Sequence, residues 1–215
     1  MRALVFGAEG MLARALLAEL PAAGYEIVGA VGRSACDIAD AAAVDRIVAD
    51  TRPAVAFNGA AFTNVDAAED RPDDAFRANA LGAENVARAC AQFGAKLVHY
   101  STDFVFDGER ERPYDEFDPP SPQGIYARSK LAGERLVATA CPASFVVRVG
   151  CLYGRGGKNF PSTMVARLRR GETLKADESR FGSPTWVVPV ARVSAALART
   201  GHFGLYHATA DRETT

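Results

Sequence analysis

Short apolar runs alternate with longer amphipathic stretches along almost the whole chain, and this alternation restricts the fold more than any other feature. Arg2–Phe6, Glu26–Val31, Ala54–Phe57, Lys96–Tyr100 and Ser144–Arg148 read as strands. Met11–Leu20, Ala41–Thr51, Pro72–Phe93 and Tyr126–Thr139 read as helices, with Pro72 suited to a first turn and Gly94 to a helix end. Such a pattern calls for a parallel sheet covered on both faces, joined by right-handed crossovers. The fold class expected is α/β: a Rossmann-type doubly wound parallel sheet over residues 1–150, with a small C-terminal lobe.

After Gly150 the pattern changes. Gly154–Gly157 reads as a loop, Phe160–Arg170 as a helix, Thr173–Ala176 as a strand, Pro189–Thr200 as a helix and Leu205–His207 as a strand. Residues 151–215 are therefore expected to be a mixed segment that adds to the sheet and to a substrate lobe. The polar run Asp211–Thr215 brings no closing element, so that lobe reads as truncated. Asp107–Gln123 holds four prolines and many charges without a period, and reads as a surface loop.

With 25 basic and 26 acidic residues, the net charge of −1 gives no reason to expect nucleic acid or an anionic membrane as partner. There is no apolar run of spanning length and no signal-peptide pattern after Met1-Arg2. The four cysteines lack a CxxC pair and the three histidines lack ligand spacing, so buried thiols in a reducing cytoplasm are expected, and no metal site.

The first strand runs into Gly7-Ala8-Glu9-Gly10-Met11-Leu12-Ala13, a GxxGxxA turn. Glycines there let backbone approach a pyrophosphate, and the helix opening at Gly10 aims its N-terminus at the negative charge. A plain tight turn is the competing explanation. After the second strand, Arg33 and Ser34 stand where an acid would bind a ribose 2′-hydroxyl. A cation there suits a 2′-phosphate, so NADPH is expected, with NADH possible; a solvated loop cation is the alternative. Asp37, followed by Ile38, is placed to bond the adenine amine. Asn58-Gly59-Ala60-Ala61 supplies small residues where backbone passes a ribose.

Thr102 precedes Tyr126 by 24 residues, and Lys130 follows Tyr126 by four. That spacing puts Tyr126 and Lys130 on one helix face, where a cation would ease ionisation of the phenol. Hydroxyl, phenol and ammonium together form a set able to exchange a proton with a carbonyl or alcohol oxygen. A solvated helix pair is the bland reading of Tyr126 and Lys130.

Six stretches carry a resemblance: Gly7–Ala13, Asn58–Glu69, Tyr100–Gly108, Tyr126–Glu134, Gly156–Phe160 and Gly182–Thr185. In this order they resemble the extended short-chain dehydrogenase/reductases, more narrowly the dTDP-4-dehydrorhamnose reductase family. The resemblance implies reduction of the C4 keto group of a nucleotide-linked 4-keto-6-deoxy sugar. Tyr126 would be the general acid, Lys130 would lower its pKa and bond the nicotinamide ribose, and Thr102 would bond the substrate oxygen. Gly7, Gly10, Met11, Leu12, Arg33, Ser34, Asp37, Ile38, Asn58, Ala60, Ala61, Tyr126 and Lys130 would contact the dinucleotide. Thr63, Val65, Thr102, Asp103, Phe104, Cys151 and Asn159 would contact the sugar nucleotide, and Arg180 would meet a phosphate or solvent.

Three departures qualify that picture. Phe104 stands where related dehydratases carry a Glu, which favours simple reduction. Cys151 stands where some members have a Trp against the sugar. Ala15 replaces a glutamate that binds metal in some dimeric members, so a monomer or metal-free homodimer is expected. Two other functions fit the same residues: a non-catalytic NADP-binding regulatory subunit like that of methionine adenosyltransferase, and a reductase of another carbonyl.

Overall fold

The computed structural model of the chain describes residues 1–157, 159–174 and 182–210. In chain order its elements are β1 (Arg2–Phe6), α1 (Met11–Glu19), β2 (Glu26–Val31), α2 (Ala41–Thr51), β3 (Val55–Asn58), α3 (Val65–Asp70) and α4 (Pro72–Phe76). A π-helical segment (Arg77–Gly82) leads into α5 (Ala83–Gln92) and β4 (Lys96–Thr102), followed by a 3-10 turn (Asp103–Val105). Then come α6 (Gly124–Ala140), β5 (Ser144–Val149), β6 (Leu152–Tyr153), α7 (Phe160–Arg169), β7 (Thr185–Trp186), α8 (Val187–Ala198) and β8 (Gly204–His207).

Six strands form one sheet in the order β2-β1-β3-β4-β5-β8, every pair parallel. Side chains alternate across it. Ala3 and Val5 of β1 join Leu12 and Leu16 of α1 and Val190 and Ala191 of α8 on one face. Leu4 and Phe6 point the other way, against Val44 and Val48 of α2 and Val86 and Cys90 of α5. With both faces covered, β5 is buried along its whole length. The chain leaves β1 towards β2 on one side and comes back to β3 on the other. That reversal opens a crevice beyond the carboxyl ends of β1 and β3.

The structure departs from the sequence reading in several places. Pro72–Phe93 is not one regular helix: the π segment interrupts it, where Asn79 turns inward to bond the Phe62 backbone and Gly82 meets Ile38. Helix α3 was not expected, although Asn64 caps it by accepting from the Ala67 N–H. Strands β4 and β5 run on to Thr102 and Val149, because they pair together that far. Thr173 and Leu174 are not in a strand. Lys158, Arg180, the rest of the strand expected there and the tail Asp211–Thr215 lie outside the described residues. The loop at Asp107–Gln123 is organised around one carboxylate: Asp118 receives Arg110 and both terminal nitrogens of Arg112, the latter at 2.8 and 2.7 Å.

Helix α6 is fixed in two ways, to the sheet and to the π segment. Glu134 and Arg148, only 7% and 4% exposed, form a bidentate pair at 2.9 and 2.8 Å. Next to it α6 crosses the π segment so closely that a Cβ on Gly133 would stand 2.1 Å from the Asn79 carbonyl oxygen. Two predictions follow from these contacts. Gly133→Ala is expected to destabilise the fold by about 1–3 kcal/mol through overpacking. Glu134→Ala should cost about 3–5 kcal/mol, because it strands a buried guanidinium. Urea unfolding measures both, and an unchanged midpoint in either variant contradicts the corresponding contact.

Candidate active site

The reactive end of the molecule is built on the first turns of α6. That helix has no cap of its own at Gln123; instead Glu69 of α3 accepts the Ile125 N–H at 2.7 Å. Gly124, at φ +80°, leaves room for the carboxylate, since a Cβ there would lie 2.7 Å from Glu69 Oε1. This fixes the turn that carries Tyr126. One turn further Lys130 is buried and donates from Nζ to the Tyr100 carbonyl at 2.6 Å.

Strand β4 brings Thr102 to the same place. Its hydroxyl donates to Asp103 Oδ1 at 3.1 Å and accepts from the Phe104 N–H at 3.2 Å, which starts the 3-10 turn. The Phe104 ring then meets the Tyr126 ring edge-on, with centroids 5.8 Å apart. Thr102, Asp103, Phe104 and Tyr126 are thus neighbours, and Lys130 is anchored on the strand that presents them.

Electrostatics correct one expectation. A lysine one turn from the phenol should lower its pKa; here Tyr126 is pushed up to about 12. Burial is the main cause and the Asp103 carboxylate adds to it, with the Thr102 hydroxyl pulling the other way. Lys130 spends a hydrogen bond on the strand carbonyl, and burial takes its own pKa down to about 8 against the pull of Glu134. Burial likewise raises Asp103 and, with help from Asp103, the Cys151 thiol. The phenol therefore stays protonated at neutral pH, and it is a weaker acid than a free tyrosine.

The dinucleotide candidates gather at the β1–β3 crevice, in a cleft of about 470 Å³. Gly7, Gly10, Arg33, Asp37, Ile38, Ala60, Ala61 and Thr63 line it. Gly7 is at φ +73°, and a Cβ on it would lie 2.6 Å from the Ala60 nitrogen. Helix α1 starts at Met11, after Gly10; among the described residues no side chain caps it and its first turn has no acidic residue, which suits its leading N–H groups to an anion. Leu12 sends its side chain into the core, so only its backbone is available to a ligand. Asn58 holds the next turn through the Ala60 N–H and touches His99, a histidine that burial keeps neutral. Ser34 is exposed in the turn after β2.

The remaining substrate candidates are more scattered. Val65 is exposed at the start of α3. Cys151 sits at φ +36°, beside Asp103. The Asn159 amide is already occupied: it donates to the Gly154 and Gly157 carbonyls and caps α7 by accepting the Ser162 N–H. Its loop rests on Met11, next to the glycine turn.

Three residues that sequence reading missed shape the site. Glu69 caps α6. Asn79 accepts from Phe62 N at 2.8 Å and donates to Phe62 O and Ser129 Oγ at 3.0 Å each, which ties the cleft wall to α6. Arg77 reaches Asp37 at 3.2 Å in the cleft. A polar Asn79 inside an apolar helical pattern is the one visible signal; nothing in the sequence separates Glu69 and Arg77 from the other charged residues.

A doubly wound sheet, a glycine turn at its switch point and a Thr–Tyr–Lys set beside it define an oxidoreductase of the short-chain dehydrogenase/reductase type. A family model described as RmlD substrate binding domain matches residues 1–215. The chain belongs to the dTDP-4-dehydrorhamnose reductase family, whose members are NAD(P)H-dependent oxidoreductases. A dTDP-4-dehydrorhamnose reductase of Streptomyces griseus is 43% identical over 220 residues, covering 100% of this chain and 72% of that protein. A dTDP-4-keto-6-deoxy-D-glucose reductase of Streptomyces niveus is 40% identical over 215 residues, covering 100% of this chain and 74% of the relative. Among solved structures, a Bacillus anthracis dTDP-4-dehydrorhamnose reductase in complex with NADP superposes with a TM-score of 0.94 at 38% identity, covering 99% of this chain and 75% of that one.

The capping contact of α6 gives a prediction. Glu69→Ala should cost about 1 kcal/mol, the usual worth of an N-terminal cap, and should speed amide exchange at Ile125. Unchanged exchange there would show that the first turn stands without Glu69.

Proposed function

We propose that the chain reduces the C4 carbonyl of a dTDP-linked 4-keto-6-deoxy sugar, using NADPH in preference to NADH, with Tyr126 as the general acid. The observation that carries this reading is that Thr102, Phe104 and Tyr126 come together at the end of β4, with Lys130 of the same helix bonded to the Tyr100 carbonyl. The names of the Streptomyces relatives and the NADP complex of the Bacillus anthracis protein support the substrate and cofactor classes.

The cradle suits a dinucleotide: a side chain at Gly7 would collide with backbone, and the uncapped start of α1 faces the pyrophosphate position. When bound, the nicotinamide supplies a hydride to the carbonyl carbon. As charge builds on the carbonyl oxygen, Thr102 turns its one hydroxyl proton from Asp103 to that oxygen and Tyr126 transfers its proton, leaving an alcohol and a tyrosinate. The tyrosinate regains a proton from solvent, and the Lys130 ammonium offsets its charge meanwhile. Lys130 also offers N–H donors to the nicotinamide ribose. Phe104 puts a hydrocarbon ring against Tyr126 where dehydration would need a second acid, so the alcohol is the end product.

Consumption of NADPH with dTDP-4-dehydrorhamnose tests the reading; retained NADPH binding without turnover would refute the proposed substrate. Tyr126→Phe should lower kcat by ~10²–10⁴ and leave cofactor affinity intact. On the alkaline side kcat/KM reports the free protein. It should fall as Lys130 loses its proton near pH 8, well before Tyr126 ionises near 12. A profile flat on the alkaline side would overturn the part assigned to Lys130.

A further inference from the structure

We infer that Arg77 and Arg33 together form a clamp for the 2′-phosphate on the adenosine ribose, and that Arg77 is what makes the clamp selective. The inference rests on the dinucleotide reading above. Arg33 comes from the loop after β2 and Arg77 from the start of the π segment, and both line the cleft that contains Gly7 and Gly10. Their terminal nitrogens approach the same oxygen of Asp37, at 3.7 and 3.2 Å. Two guanidinium groups that touch one carboxylate oxygen are close enough for a single phosphate to reach both.

Charge counting shows why the second arginine matters. Asp37 is held in place, its other oxygen accepting the Ala39 N–H at 3.0 Å. With Arg33 alone the carboxylate would cancel the guanidinium, and a phosphate would meet a locally neutral surface. Arg77 sets two guanidinium groups against the one carboxylate of Asp37; Glu9, which lies against Gly32, and the paired Arg71 and Asp74 are the other charged groups of the cleft lining. Each guanidinium carries five donors, of which Asp37 engages few. The side chains are 76% and 54% exposed, so their remaining donors are accessible to a ligand. Exposed ion pairs of this kind contribute little to stability, so a role in holding the fold does not account for the cluster.

The test compares 2′,5′-ADP with ADP by calorimetric titration, which needs neither nicotinamide nor sugar. The unaltered chain should bind 2′,5′-ADP more tightly. Arg77→Leu should weaken 2′,5′-ADP about tenfold, the scale of one charge-assisted hydrogen bond, and leave ADP unchanged. Arg33→Leu should act likewise, and Arg77→Lys should retain part of the preference. Equal binding of the two nucleotides by the unaltered chain would overturn the clamp. So would an Arg77→Leu effect that is absent or equal for both, the latter placing Arg77 on the adenine or in the fold. If neither nucleotide binds, the dinucleotide reading itself fails.

Discussion

The contact between the Gly7 turn and the Ala60 backbone is the constraint from which the rest of the arrangement follows. No side chain fits between them, since a Cβ on Gly7 would fall 2.6 Å from the Ala60 nitrogen. β1 and β3 are neighbours in the sheet, and their following turns must therefore share one small volume. That proximity narrows the crevice at the switch point and brings the start of α1 up to its mouth. It also sets the path of the chain after β3 into the Phe62 loop, and from there into α3, whose Glu69 caps α6.

The second organising effect is the burial of polar groups beside the sheet. Lys130 is removed from water and partly compensated by a strand carbonyl and the field of Glu134. Glu134 is in turn held by Arg148, whose guanidinium lies over the Phe106 ring at 5.0 Å. Desolvation acts in opposite directions on an acid and a base. It raises the Tyr126 phenol to about 12 and lowers the Lys130 ammonium to about 8, so the two move apart in proton affinity. The simple picture of a cation lowering its neighbour's pKa therefore does not describe this pair.

Much of this was legible in the sequence. The five strands of the first 150 residues and the α/β class follow from hydrophobic period, and the four-residue spacing of Tyr126 and Lys130 places both on one helix, α6. What was not legible depends on contacts between distant segments. A π segment leaves no mark in a 3.6-residue period, because its extra residue is tolerated only where Asn79 finds the Phe62 backbone and Ser129. Helix α3 is six residues long, too short for a period to show. The partners of Arg77 and Glu69 are 40 and 56 residues away in the chain. The sign of the Tyr126 shift depends on burial, which residue spacing does not encode.

The π segment has a consequence beyond local geometry. Within its six residues, Arg77 reaches Asp37 in the cleft and Asn79 bonds Ser129 of the helix that carries Tyr126. The cleft wall and that helix thus hang on one short stretch of backbone. A regular helix would rotate one of these side chains away from its partner. An insertion or deletion in the segment that moved Arg77 would displace α6 as well, because Asn79 and the close crossing at Gly133 tie the two together. Change on this wall of the cleft that leaves α6 in place is therefore an exchange of the side chain at position 77.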